Sequence, residues 1–174
     1  MKKMICLFWT VPLFMMSACI TEVTAPFCDA SNMKEIAGFA GEYYFAMDDI
    51  DIVIESKGNG FYQFFSYDDD EEDGPMSFKV CQVNSRLIIE IPNASELLAI
   101  QSAGQAQLFE LNINSQTGDF SMYTLVADQQ SMINDGVSYT SVADDHAVVM
   151  NEQMSATQLL GYLAKRFQMN FTKI

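Results

Sequence analysis

Between residues 50 and 113, apolar and polar side chains alternate with a period of two. Ile50, Ile52 and Ile54 alternate with Asp51, Val53 and Glu55, and Leu87, Ile89 and Ile91 with Arg86, Ile88 and Glu90. Phe109, Leu111 and Ile113 alternate with Glu110 and Asn112. Successive side chains of a strand face opposite ways, so each run offers one apolar face to a core. Gly58-Asn59-Gly60 separates run 50–56 from run 60–67, and Asn84-Ser85 separates 76–83 from 86–91. Ala103-Gly104-Gln105 and Thr117-Gly118 punctuate the later runs. Connections this short join antiparallel neighbours, because parallel pairing needs a long crossover. The pattern predicts a mainly β fold, α+β at its margin, with about eight or nine short strands. An antiparallel meander curled into a small barrel or half-barrel is expected, since closure removes vulnerable strand edges.

Three helices are predicted beside the sheet. Residues 30–37, before Gly38, form a short N-terminal one, and residues 128–134 run from Asp128 toward Gly136. The strongest signal covers 156–167. Ser155 and Gln158 make a capping box there, with Met154 and Leu159 placed as a hydrophobic staple. Ala156, Leu159, Leu160, Leu163 and Phe167 recur at helical spacing, and Lys165 and Arg166 suit the C-terminal dipole. This stretch is expected to pack as a C-terminal helix on the sheet. Segment 93–104 supports two readings. One is a helix capped by Asn93 and Glu96; the other, which suits the neighbouring runs, is a hairpin from Leu97–Gln101 into Gln107–Ile113.

The N-terminus carries a different kind of signal. Lys2 and Lys3 precede an apolar run, Met4 to Met16, interrupted only by Thr10. About 20 Å of helix is too short to span a bilayer core of roughly 30 Å, so residues 1–18 are predicted to be a secretory signal. The run ends in Met16-Ser17-Ala18-Cys19. That stretch resembles the lipobox of bacterial lipoproteins, although the family prefers Leu where Met16 stands. The resemblance covers this segment alone. It implies diacylglyceryl and acyl attachment at Cys19 and cleavage before it, hence a membrane partner reached through lipid. Ile20 comes next, not the Asp that retains many such proteins in the inner membrane, so the resemblance implies the outer membrane. Residues 19–28 are then a lipidated tether, and 29–174 a single β-rich domain.

Removal of residues 1–18 leaves 156 of the 174 residues, enough for one core. It also takes the net charge from −14 to −16. Such a body does not suit nucleic acid, whose binding requires neutralised phosphates. The charge serves solubility, or attracts a basic protein partner. Of four cysteines, Cys6 leaves with the signal and Cys19 takes lipid, which leaves Cys28 and Cys81. In an oxidising envelope compartment they are expected to form a disulfide, the alternative being two separate buried thiols.

No motif names a chemistry. Asp68 to Asp73, DDDEED, is the loudest local feature, but an EF-hand counted from Asp68 would need Glu where Lys79 stands. A solvated hairpin tip is the favoured reading, with weak divalent binding the alternative. His146 comes directly after Asp144-Asp145 and is the only histidine, so a zinc set is not expected. No nucleophile elbow or phosphate loop occurs. No cofactor, metal or catalytic residue is assigned, and an enzyme of unknown type stays open. The aromatic run Phe61-Tyr62-Gln63-Phe64-Phe65-Ser66-Tyr67 suits a central strand or the lining of an apolar groove. The order of short helix, Gly41-Glu42-Tyr43, meander and late helix is similar to the lipocalins, whose pattern has Trp where Tyr43 stands; no ligand or residue role is carried over. The expectation is a lipid-anchored envelope protein with a binding or structural role. An acidic inhibitor or adaptor of a basic envelope protein, and a carrier of an apolar small ligand in a barrel cavity, are the alternatives.

Overall fold

The computed structural model describes residues 20–24, 27–68, 71–72, 75–92, 105–142, 147–150 and 154–174. Among these residues, twelve strands and two short helices succeed one another. They are β1 (Ile20–Thr24), β2 (Gly41–Phe45), β3 (Ile50–Gly58), β4 (Phe61–Asp68), β5 (Glu71–Glu72), β6 (Met76–Val83) and β7 (Arg86–Pro92). Next come β8 (Gln105–Ile113), β9 (Phe120–Ala127), α1 (Gln129–Asn134), β10 (Tyr139–Val142), β11 (Ala147–Met150), α2 (Ala156–Gly161) and β12 (Leu163–Lys173).

Eight of the strands close an antiparallel barrel. Each of β2, β3, β4, β6, β7, β8 and β9 pairs with the next barrel strand along the chain, and β12 joins β9 back to β2. The expected meander is therefore a complete up-and-down barrel. The short β5 pairs with the end of β4. A side sheet grows from the β8–β9 seam. There β1 runs antiparallel to Gln105–Gln107 of β8 and parallel to β11, which pairs with β10. The stretch expected to be a tether thus contributes a strand, and Phe27 and Cys28 beyond it are buried.

Alternation sorts the side chains into two cores. Tyr43, Ile52, Tyr62, Phe78, Ile89, Leu111, Phe120 and Phe171 face inward and form one cluster with Phe39. Cys81, Val83, Ile88, Leu108 and Leu125 point outward and form a second, covered by Phe27, Met132 of α1, and Leu159 and Leu160 of α2. An eight-stranded barrel is just wide enough for its own side chains to fill, so the helices cannot enter and must pack outside.

The helices differ from expectation in instructive ways. Asp128 caps α1 through Ser131 N, as its position predicts. The Ser155–Gln158 capping box is present on α2, but that helix stops at Gly161, and residues 163–167 belong to β12. An unclosed barrel would leave β9 and β2 with bare edges, and the ladder hydrogen bonds that satisfy both outweigh local helical spacing. Phe167, assigned to the helix stripe, is instead 48% exposed on the strand. Nor is 30–37 a helix. After a turn in which Asn32 N and Met33 N both donate to Asp29 O, the chain runs along β6: Lys34 N donates to Val80 O, Gln82 N to Asn32 O, and Met33 bridges Cys81. The pairing of β4 with β6 ends at Lys79, so this segment satisfies an edge that β4 leaves open. Segment 93–104 lies outside the described residues.

Gly60 is where these three pieces of chain meet. Its φ is +80°, and a Cβ there would lie 2.8 Å from Val80 O and 2.9 Å from Lys34 N. Gly60→Ala therefore meets both a conformational penalty and two backbone atoms that cannot move aside. It is expected to lower stability by more than about 1 kcal/mol, read as a lower urea midpoint at unchanged slope.

Candidate functional site

The barrel interior is the first place to look for a ligand, and a cluster of aromatic rings occupies much of it. Phe39, in the turn before β2, reaches into the end formed by the β3–β4 and β8–β9 turns. Its ring lies 5.2 Å from Tyr62 and 5.2 Å from Phe120, both edge-on. Phe120 stacks on Phe171 at 4.3 Å, and Phe171 on Phe45 at 4.7 Å; Tyr62 stacks on Phe78 at 5.5 Å. These spacings are those of aromatic pairs in contact. The phenols have internal partners: Tyr43 Oη donates to Phe39 O at 2.7 Å, and Ile36 N donates to Tyr62 Oη at 2.8 Å. Burial, reinforced by the charge of Asp119, pushes the Tyr43 hydroxyl up to about 12. Burial likewise raises Tyr62.

Charge is buried on the other side of the wall. Glu90, wholly inaccessible on the outer face of β7, accepts Cys28 N at 2.6 Å and pairs with Lys79 Nζ at 2.8 Å. Lys79 Nζ also lies 3.5 Å from Cys28 O. Cys28 is itself bonded to Cys81, with the Cα atoms 5.4 Å apart. The N-terminal segment is thus fastened to the barrel covalently, by a carboxylate on its amide, and by edge pairing. Nearby, Glu110 accepts both Arg86 Nη2 and Lys165 Nζ at 2.6 Å, and Arg86 Nη1 reaches Leu160 O of α2 at 3.4 Å. A buried carboxylate needs such partners, because desolvation otherwise disfavours its charge. These two acids fasten the covering layer and leave no charge free for chemistry.

A depression of about 460 Å³ opens between the N-terminal segment, the β6–β7 turn and α2. Asn32, Gln82, Asn84, Ser155 and Thr157 rim it, over Val83 and Leu159. Asp29 is the one carboxylate in its wall among the described residues, and its hydrogen bonds from Ser31 hold it below the usual carboxylate range. The lining offers amides and hydroxyls but no paired acids.

Of the residues singled out in the sequence, Cys28 and Cys81 are joined. Cys19 and His146 lie outside the described residues, as do Asp69, Asp70 and Asp73. Within the acidic run, Asp68 ends β4 and pairs with Glu71 of β5. Among the described residues no group of three or more His, Cys, Asp or Glu side chains is placed to hold a metal. Glu90 and Glu110 were not singled out, yet each interrupts an apolar strand (LIIEIP and QLFELN), and that is the signal of a buried, paired acid. Phe61, Gln63 and Phe65 of the aromatic run face outward, while Tyr62 and Phe64 face the interior cluster.

An eight-stranded up-and-down barrel with an aromatic interior cluster and a fastened outer layer is the class that this fold defines. Comparison with protein-family models, with curated proteins and with solved structures returned no match.

Both buried networks can be probed in solution. Glu90→Ala strands Lys79 and the Cys28 amide, and is expected to cost about 3–5 kcal/mol in denaturant unfolding. The Tyr43 phenol is raised in the folded state from 10.0 to about 12. Its contribution is therefore complete below pH 10 and is lost as the pH rises toward about 12. Ultraviolet titration should show a late phenolate step that accompanies alkaline unfolding, and Tyr43→Phe should shrink that step by one phenol while Tyr62 keeps its own raised titration.

Proposed function

We propose that this chain is a lipid-anchored protein of the bacterial cell envelope that acts by binding through its outer surface. The address rests on the resemblance of Met16-Ser17-Ala18-Cys19 to a lipobox, with Ile20 pointing to the outer membrane. Two or three acyl chains on Cys19 would anchor it stably, at roughly 0.8 kcal/mol for each buried CH₂. Among the described residues no helix is long and apolar enough to cross a membrane.

The observation that carries the binding role is the aromatic filling of the barrel. Rings in mutual contact occupy much of the interior, which weighs against the reading as a carrier of an apolar ligand. A closed barrel packed with rings serves as a scaffold, and a scaffold works by what it displays. The disulfide Cys28–Cys81 supports the envelope address, since such bonds persist in oxidising compartments. A pull on the lipid would reach the barrel wall first through the pairing of β1 with β8, and next through this bond.

Cys19→Ser is the test of the anchor. The wild-type chain is expected in the detergent phase of a phase-partition assay, and the variant in the aqueous phase or uncleaved. Equal partition of the two would overturn the lipid anchor.

A further inference from the structure

The covering layer is one-sided. The N-terminal segment, α1 and α2 lie over the outer faces of β6 to β9, whereas among the described residues nothing packs on the outer face of β2, β3 and β4. Register fixes what that bare face displays. Tyr44 sits beside Asp51, Glu42 beside Val53, and Val53 in turn beside Phe65. Glu55 sits beside Gln63, and Phe61 continues the aromatic line along β4. Tyr44 is 37% exposed and Phe61 45% exposed, while Glu42, Asp51 and Glu55 are open to solvent. Apolar and acidic side chains therefore alternate across neighbouring strands as well as along them.

Three cations are paired away from this face, and a fourth neutralises one of its acids. Lys79 is held by Glu90, and Arg86 and Lys165 by Glu110, all on the covered side. Lys57 pairs with Glu55 at 2.6 Å. Glu42 and Asp51 have no cationic partner among the described residues. The Tyr44 hydroxyl donates to Asp49 at 2.7 Å, and that bond, with the charges of Asp49 and Asp51, holds the phenol above its usual value.

Resting on the reading that the protein binds through its outer surface, we propose that the outer face of β2, β3 and β4 docks a basic peptide segment in which Lys or Arg alternates with apolar residues. Lys and Arg carry apolar stems under charged heads. On this face the stems lie along Val53, Phe65 and Tyr44 while the heads reach Glu42 and Asp51, where charge-assisted hydrogen bonds are the strong ones. Rings at Tyr44 and Phe61 add attraction for guanidinium groups. An anionic lipid surface meets the opposite condition, since the mature chain and the lipid carry like charge.

The test uses the mature full-length chain in neutral detergent micelles and an end-labelled peptide alternating Arg and Val, read by fluorescence anisotropy. Glu42→Gln with Asp51→Asn removes two charges from the face. Asp128→Asn with Asp135→Asn removes the same charge beside α1, Asn still serving as helix cap. The face variant is expected to weaken binding about tenfold, and the α1 variant by less than about twofold. A peptide alternating Arg and Ser is expected to bind more weakly than the Arg–Val peptide. Equal losses in the two variants, equal affinity for the two peptides, or no binding of Arg–Val by the wild type would each overturn the proposal. The anisotropy readout needs only dissolved protein, held in a micelle or free, so it does not depend on whether Cys19 carries lipid. Failure of the anchor shows only in the partition of Cys19→Ser.

Discussion

Closure of the sheet is the constraint on which the rest of this structure depends. Without β12 between β9 and β2, two strands would present open ladders to solvent, and the inward rings of Phe45, Phe120 and Phe171 would lose the wall against which they stack. The last strand of the chain is therefore the one that makes the interior an interior. It also explains why α2 is so short. Six residues, Ala156–Gly161, carry the chain across the outer surface before Leu163 enters the seam.

A closed and filled barrel must bury any remaining apolar surface on its outside, and here it does so on one side. The second core owes its position to the outward residues of β6 to β9, which are apolar where the outward residues of β2 to β4 mix acids with rings. Covering it requires the N-terminal segment, which is short and has little helix of its own. Three separate devices hold that segment: the Cys28–Cys81 bond, Glu90 on the Cys28 amide, and backbone pairing to β6. The asymmetry produces a molecule with one sealed flank and one open, acidic and aromatic flank.

Much of this was legible in the chain. Period-two runs and turn residues placed β3, β4, β6, β7 and β8 closely, because a strand half-exposed to water writes its two faces directly into its residues. Asn84 and Ser85, both at positive φ, and the break at Gly58-Asn59-Gly60 marked the two tightest connections. Local pattern misled at 30–37 and at 163–167, and for one reason. Both segments are strands or edge partners whose identity is set by a distant vacancy: the edge of β6 beyond Lys79, and the gap between β9 and β2. A local pattern records what a segment prefers, not which edge elsewhere needs it.

The residues alone determined the β class, the capped start of α2, the stretch from Asp128 that becomes α1, and the strongly anionic composition. Each of these depends on neighbours within a few positions or on composition. Tertiary structure decided that the barrel closes, that rings from turn, strand and terminus meet in its interior, and that among the described residues one outer flank is covered and the other bare. Those outcomes turn on where residues far apart in the chain come to lie, and on a cross-section fixed by the number of strands. No single segment carries that information.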